Sequence, residues 1–337
     1  MPLDQHLQRK RDELQEQYEF LCEKIQSLNK SKIIEDLSPG ERFRLKKQIE
    51  EEEANREKVE QQLDKVKKQL EELDKTASSE SLYRTLIKLG YRQQVRVFRQ
   101  LIEAESVACF LIHGSPEYGQ RWLLNRLVVQ YVPYCMTGKV VKVDLGRRVR
   151  RSDVSALWRE LGGRVGLRER QPSPSDIAER VYQWWRTQNV LLVFHDADCM
   201  PEPALCELLH NFWLPLANKA RNSLSQASKF KLLMFLVDYE GCVGDWTTPF
   251  AEKLDSTREP HTPIRTPRIT EFSNNELMNW IEDEYDKLPF ELTHKVDSTV
   301  QTILDNSDNG IPERALYEIC DRCSCNWYEE SEKWLKL

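Results

Sequence analysis

Apolar residues recur at alternating spacings of three and four along the first 76 positions. Leu7, Leu14, Tyr18, Leu21, Ile25 and Leu28 fall on one heptad seam, and Ile49, Val59, Leu63, Val66, Leu70 and Leu73 fall on a second. Such spacing keeps one stripe of a helix against a partner. The stretch "EDLSPGERF" separates the seams. Ser38 can cap a new helix there, Pro39 suits its first position and Glu41 completes a capping box. The pattern predicts an antiparallel α-helical coiled-coil hairpin over 2–76. Glu52 and Arg56 interrupt the second seam, so a single solvated charged helix is the competing description.

"KTASSES" (75–81) reads as a linker. It opens a helical lead-in or docking segment over 77–105, made of "SLYRTLIKL" (81–89) and "YRQQVRVFRQLIEAE" (91–105) with a break at Gly90. Arg84, Lys88, Arg92, Arg96 and Arg99 give it a basic face, either a solvated surface or a docking site for an acidic partner.

Beyond residue 106 the period changes. "VACFLIHG", "GKVVKVDL" (138–145), "NVLLVFHDAD" (189–198) and "FKLLMFLVD" (230–238) are continuous apolar runs, as expected of strands covered on both faces. Helical patterns at 152–167, 174–187 and 202–220 alternate with them. This order predicts an α/β domain over 106–266 with a parallel sheet and flanking helices. A loop around a short last strand is expected at 245–268. Residues 267–337 read as a small helical lid and C-terminal helices, with helices at 273–287 and 312–323.

The segment "FLIHGSPEYGQRWLLNRLVVQY" (110–131) has the outline of a P-loop. Gly114 and Gly119 keep the G-x-x-x-x-G spacing between a strand and a helix, with Ser115 inside the loop. Backbone N–H groups in such a loop curl around phosphate, and the helix N-terminus adds positive potential. A working loop continues with Lys, which bridges phosphates, and Ser or Thr, which holds Mg²⁺. Gln120 and Arg121 stand in those places. Gln120 has no charge, and the planar fork of Arg121 is no substitute for a point ammonium. A second strand should end in a metal-binding Asp and an acid. Aligned on its apolar run, "LLVFHDAD" puts His195 in the metal place and Asp196 in the acid place. A shift of one residue returns Asp196 to the metal. His195 is otherwise a strand-end polar residue, or a base with no visible nucleophile. Asp144 and Asp198 read as caps or strand-end polars.

Composition narrows the function. The chain has 337 residues, enough for about two domains. Its net charge of −6 argues against broad nucleic-acid binding. Arg147, Arg148, Arg150 and Arg151, in "RRVRR", keep a nucleic-acid-binding sensor as one alternative. No apolar run reaches the roughly 20 residues that span a bilayer, and no signal-peptide pattern opens the sequence. The nine cysteines are scattered and odd in number, as expected of reduced thiols in a cytoplasm. Cys320, Cys323 and Cys325 lack a second ligand pair, so no metal site is expected. No catalytic residue is expected either.

The stretch from "LIKLGYRQQ" through "GSPEYGQRWLLNRL" resembles the inactive STAND domains of bacterial, especially cyanobacterial, proteins, eroded relatives of STAND and AAA+ P-loop ATPases. "PRITEFSNNELMNWIEDE" (267–284) is similar to the segment entering the STAND lid. Gly310-Ile311-Pro312 looks like that lid's G-x-P, which makes Gly310 and Pro312 the candidate base contact, although a tight turn before a helix accounts for them equally. The resemblance covers about residues 82–325. It implies a P-loop NTPase-like fold, no cofactor, and non-catalytic signalling or scaffolding in conflict or immune-type responses. Protein partners or self-association through the coiled coil and a separate effector protein are the expected partners, with neither nucleic acid nor membrane. The alternative is a switch that binds nucleotide weakly in the Gly114–Gly119 cradle with little or no hydrolysis.

Overall fold

The structure, a computed structural model, describes residues 3–34, 38–146, 154–168, 171–223, 229–248, 250–251 and 262–337. It divides into two compact units, Met1–Leu82 and Tyr83–Leu337.

The first unit is a helical hairpin of α1 (Leu3–Ile34) and the portion of α2 (Pro39–Leu86) up to Leu82. Leu7 and Leu14 pack with Leu63, Val66, Leu70 and Leu73, so the start of α1 lies beside the later turns of α2. Such antiparallel pairing follows from the two apolar stripes. The turn is capped as the sequence requires: the Glu41 N–H donates to Ser38 Oγ at 3.4 Å and the Ser38 N–H to Glu41 Oε2 at 2.9 Å. Glu52, an interruption of the seam on paper, accepts from Lys24 across the hairpin at 2.7 Å. Residues 75–81 differ from the expected linker, because they lie inside α2. Thr76 Oγ1 donates to the Glu72 carbonyl at 2.8 Å, so this hydroxyl is turned back onto the helix.

In the second unit, Gly90 and Tyr91 break the helix with φ of 66° and 53°, and α3 (Arg92–Ala104) follows. A five-stranded parallel sheet has the order β2-β3-β4-β1-β5. Its strands are β1 (Val107–His113), β2 (Lys139–Asp144), β3 (Val190–His195), β4 (Leu232–Asp238) and β5 (Ile264–Arg265). Every residue of the central strands β1 and β4 is buried, as their unbroken apolar runs demand. Between the strands run α4 (Gln120–Tyr131), α5 (Val154–Arg164), α6 (Pro174–Trp185), and a helix formed by α7 (Glu202–Leu208), a π turn and α8 (Leu214–Asn222). Phe98, Phe110 and Phe235 stack on one face of the sheet. Trp158, Trp185, Phe194 and Trp213 belong to the main core cluster. This is the parallel α/β sheet with flanking helices that the β–α alternation predicts.

The lid comprises α9 (Asn274–Asp283), α10 (Phe290–Thr293), α11 (Val296–Asn306) and α12 (Pro312–Arg322), followed by α13 (Trp327–Trp334). Trp280 and Ile281 face inward, as do Leu316 and Ile319. Tyr317 is 43% exposed and packs against the Tyr328 ring at 5.8 Å. Among the described residues, no helix is long and apolar enough to cross a membrane.

Gly310 fixes the lid's approach. Its φ is 95°, its carbonyl accepts from the Phe272 N–H at 2.8 Å, and an added Cβ would lie 2.2 Å from the Phe272 oxygen. Gly310→Ala is expected to destabilise the protein by roughly 2–4 kcal/mol through combined backbone strain and overlap. Chemical denaturation measures this, and a loss below about 0.5 kcal/mol would show that the contact is easily relaxed.

Candidate functional site

The strand–loop–helix outline read from the sequence is present. β1 ends at His113, the chain turns with the Tyr118 N–H donating to the Ser115 carbonyl at 3.2 Å, and Gly119 caps α4 in a left-handed conformation with φ of 73°. Both glycines are crowded by the protein itself. A Cβ at Gly119 would lie 2.3 Å from the Tyr91 hydroxyl, which donates to the Tyr118 carbonyl at 3.2 Å. A Cβ at Gly114 would lie 3.0 Å from Ile269 Cβ.

Gln120 is 1% exposed and turned inward. Its Nε2 donates to the carbonyls of Gly114 at 3.0 Å and Ser115 at 2.9 Å, with a longer contact to Tyr239 at 3.4 Å. The amide therefore ties the loop to itself and to the residue after β4. Arg121 runs toward the C-terminal segment. Its Nε donates to the Leu337 backbone oxygen at 3.1 Å, Nη2 to the Leu335 carbonyl at 3.5 Å, and Nη1 meets Glu332 at 3.3 Å. At Ser115, Oγ accepts a long 3.4 Å bond from Arg268.

His195 is the last residue of β3 and lies opposite Asp144 of β2. Its Nδ1 shares a hydrogen with the Tyr239 hydroxyl at 2.8 Å. Burial, then the charges of Arg121 and Lys142, push its pKa down to about 4 against the opposing pull of Asp144. The imidazole is thus neutral at neutral pH. Burial raises the Tyr239 phenol, which keeps its proton to donate. Asp196 follows the strand with φ of 56° and starts a short 3₁₀ turn. Asp198 accepts from the Tyr239 N–H at 3.0 Å, which ties the turn after β3 to the end of β4, and Asp144 accepts locally from the Gly146 N–H at 2.8 Å.

Sequence reasoning missed Asp238 and Tyr239. Asp238 is fully buried at the end of β4 and accepts from the N–H groups of Glu240, Gly241 and Val243 at 3.1, 2.6 and 2.8 Å. Burial raises its pKa, while these three donors oppose the shift. The available signal was an apolar run, "FLVD", that ends in a carboxylate.

The lid sits directly on the loop. The Glu313 N–H donates to the Glu117 carbonyl at 3.0 Å, and Arg314 Nη2 pairs with the Glu117 carboxylate at 2.6 Å. Arg314 also pairs with Asp308. Pro312 Cβ is 3.6 Å from where a Gly119 Cβ would lie. Pro312 therefore covers the loop, and Gly310 meets the Phe272 backbone. Beside them is a cleft of about 320 Å³ lined by Tyr91, Arg92, Gln94, Arg268, Thr270 and Glu276, among others.

Other candidates are placed apart from this centre. Cys320, Cys323 and Cys325 adjoin one another, and burial raises all three thiols, Cys323 to about 12. Among the described residues, no group of three or more His, Cys, Asp or Glu is placed to hold a metal ion. The basic lead-in is partly engaged within its own unit, where Lys88 pairs with Glu284 at 2.7 Å and Arg99 lies over the Tyr131 ring at 5.6 Å. Arg147, Arg148, Arg150 and Arg151 lie outside the described residues.

The His195 environment has a direct readout. Its pKa is depressed on folding, so the stabilising neutral state is fully present above about 6.5 and is lost as pH falls toward about 4. A ring titration followed by NMR should have its midpoint near 4 in the native chain and a higher one in Arg121→Ala. A midpoint near 6.5 in the native chain would mean that the ring is solvated.

Residues 86–237 match the family model described as inactive STAND, and residues 5–73 match the one described as effector-associated domain 9. No curated protein matches the chain. Among solved structures it is similar to the Aeropyrum pernix ORC1 protein in complex with DNA, at 13% identity and a TM-score of 0.38, over 73% of this chain and 64% of that one. It is also similar to Drosophila ORC bound to DNA, at 13% identity and a TM-score of 0.32, over 77% of this chain and 65% of that one. The chain thus spans just under two thirds of the length of these structural relatives. It carries a match to an inactive STAND unit of P-loop NTPase-like fold behind a match to an effector-associated domain, the make-up of a non-catalytic signalling module.

Proposed function

We propose that this protein is a signalling scaffold of conflict or immune-type responses whose α/β unit is held closed by its own side chains instead of by nucleotide. In this reading the helical hairpin over 2–76 joins a second copy or the helices of a separate effector protein. The observation that carries the proposal is the Gln120 amide, whose donors are committed to loop carbonyls while Pro312 and Glu313 cover the loop. The nine cysteines are present as thiols, which suits a reducing, cytoplasmic setting.

Phosphoryl transfer needs positive charge and a metal at the γ-phosphate, and losing one such contact costs roughly a hundred- to a thousandfold in rate. Phosphate release with Mg²⁺ and ATP or GTP is therefore expected at background. Gln120→Lys alone should leave it there, because position 121 still lacks a hydroxyl. Robust release by the native chain that disappears in Arg121→Ala would overturn the proposal. The nucleotide-switch reading is favoured by the cleft beside Tyr91 and Arg268. A melting temperature raised by several degrees with Mg-ATP would establish that reading instead.

Assembly is tested on the hairpin. Phe20 and Phe43 are 64% and 70% exposed there, apolar rings that a partner helix would cover. Light scattering of the full chain should give a mass above the monomer, falling toward it in Phe20→Asp with Phe43→Asp. A monomeric mass for the native chain, together with no helical partner, would remove self-association and docking alike.

A further inference from the structure

We propose that residues 327–337 are a latch that joins the lid to the α/β core, with Arg121 as its catch, and that release of this segment is the step that opens the unit. The proposal rests on the reading of the unit as closed without nucleotide.

The segment is held along its length. In α13, Trp327 and Trp334 pack on Trp122 of α4 with ring centroids at 5.4 and 6.2 Å, and Trp334 also stacks on Tyr83 at 5.4 Å. Beyond the helix, Arg121 donates to the backbone oxygens of Leu335 and Leu337, and Lys142 of β2 donates to that of Lys336. Asn125 accepts from the Lys336 N–H at 3.3 Å. Leu337 is 1% exposed. Thus Leu335, Lys336 and Leu337 each have a backbone group bound by a side chain of α4 or β2, an arrangement suited to an intramolecular peptide ligand.

This attachment bears on the lid because α13 follows α12 directly. The Cys325 N–H donates to the Cys320 carbonyl at 2.9 Å, and the Tyr317 and Tyr328 rings pack across the junction. The other end of α12 bonds the loop through Glu313 and Glu117. Within the lid, α12 is therefore held at both ends, at the loop through Glu313 and at its far end through the segment that follows it. Docking also carries an opposing cost. The Trp122 indole N–H is buried without a partner, and an unsatisfied buried donor favours the state in which water can reach it. Arg121 has a part-exposed side chain, so solvent screens its bonds and lowers their strength. These terms make the contact reversible.

Hydrogen exchange on the full chain tests the latch, comparing the native protein with Arg121→Ala, Leu337→Asp and the two combined. Removing charge-assisted bonds of this kind should speed exchange over 327–337 roughly tenfold in either single variant. The combined variant should add little, since both changes act on one contact. The Glu313 amide should quicken with the tail, while β1 and β4 keep their protection. Unchanged tail exchange in both single variants would overturn the proposal. Release of the tail with Glu313 protected as in the native chain would also overturn it, because the tail would then be uncoupled from the lid. A further arm adds Mg-ATP to Arg121→Ala. If ATP restored protection at Glu313, the latch would stand and the nucleotide-free reading would fail.

Discussion

A buried carboxamide must find acceptors or it destabilises the site that holds it. Gln120 meets that demand with the carbonyls of Gly114 and Ser115 and a longer contact to Tyr239. The same contacts decide the shape of the centre, because they draw the loop and the end of β4 together. Tyr239 is held in turn by Asp198 at its N–H and by His195 at its hydroxyl. A chain of polar contacts thus crosses the carboxyl ends of β3, β4 and β1, where a ligand crevice lies in open α/β sheets.

Charge is rearranged along with shape. A P-loop enzyme brings a lysine and a divalent cation to an anion. In this chain the loop interior is neutral, and the guanidinium of Arg121 is turned to backbone oxygens and Glu332. Its field still reaches His195, where it acts with burial and Lys142 against protonation. A metal ion beside that ring would face the same repulsion from both cations. The acidic groups nearby have protein partners of their own, as Asp238 shows with its three backbone donors.

Much of this was legible in the sequence where a local pattern dictates the outcome. Continuous apolar runs marked the buried strands, because a strand covered on both faces has no polar side. Seam spacing and the Ser38–Glu41 pair marked the hairpin and its turn. The stretch 75–81 was misread because Ser and Thr favour turns only when their hydroxyls have no better acceptor, and Thr76 finds one in its own helix. Asp238 and Tyr239 were not legible, since their roles arise from the register that sets β4 between β3 and β1. The tail was missed for a similar reason. Trp327 and Trp334 are seven residues apart, a same-face spacing, but only the fold shows that Trp122 lies opposite.

The two glycines of the loop explain how its outline forms with Gln120 and Arg121 following the second of them. A phosphate requires Gly at such positions because the backbone must curl and approach closely. Tyr91 and Ile269 impose the same requirement from within the protein: the hydroxyl lies where a Gly119 side chain would begin, and Ile269 crowds Gly114. Gly119 needs its positive φ to start α4 whatever lies beyond the loop. Glycine spacing therefore reports curvature and close approach, not the identity of the approaching group. That identity is carried by the residues after the second glycine. In this chain one of them turns into the loop and the other turns to the tail, which leaves the helix N-terminus of α4 facing the protein's own aromatic and proline side chains.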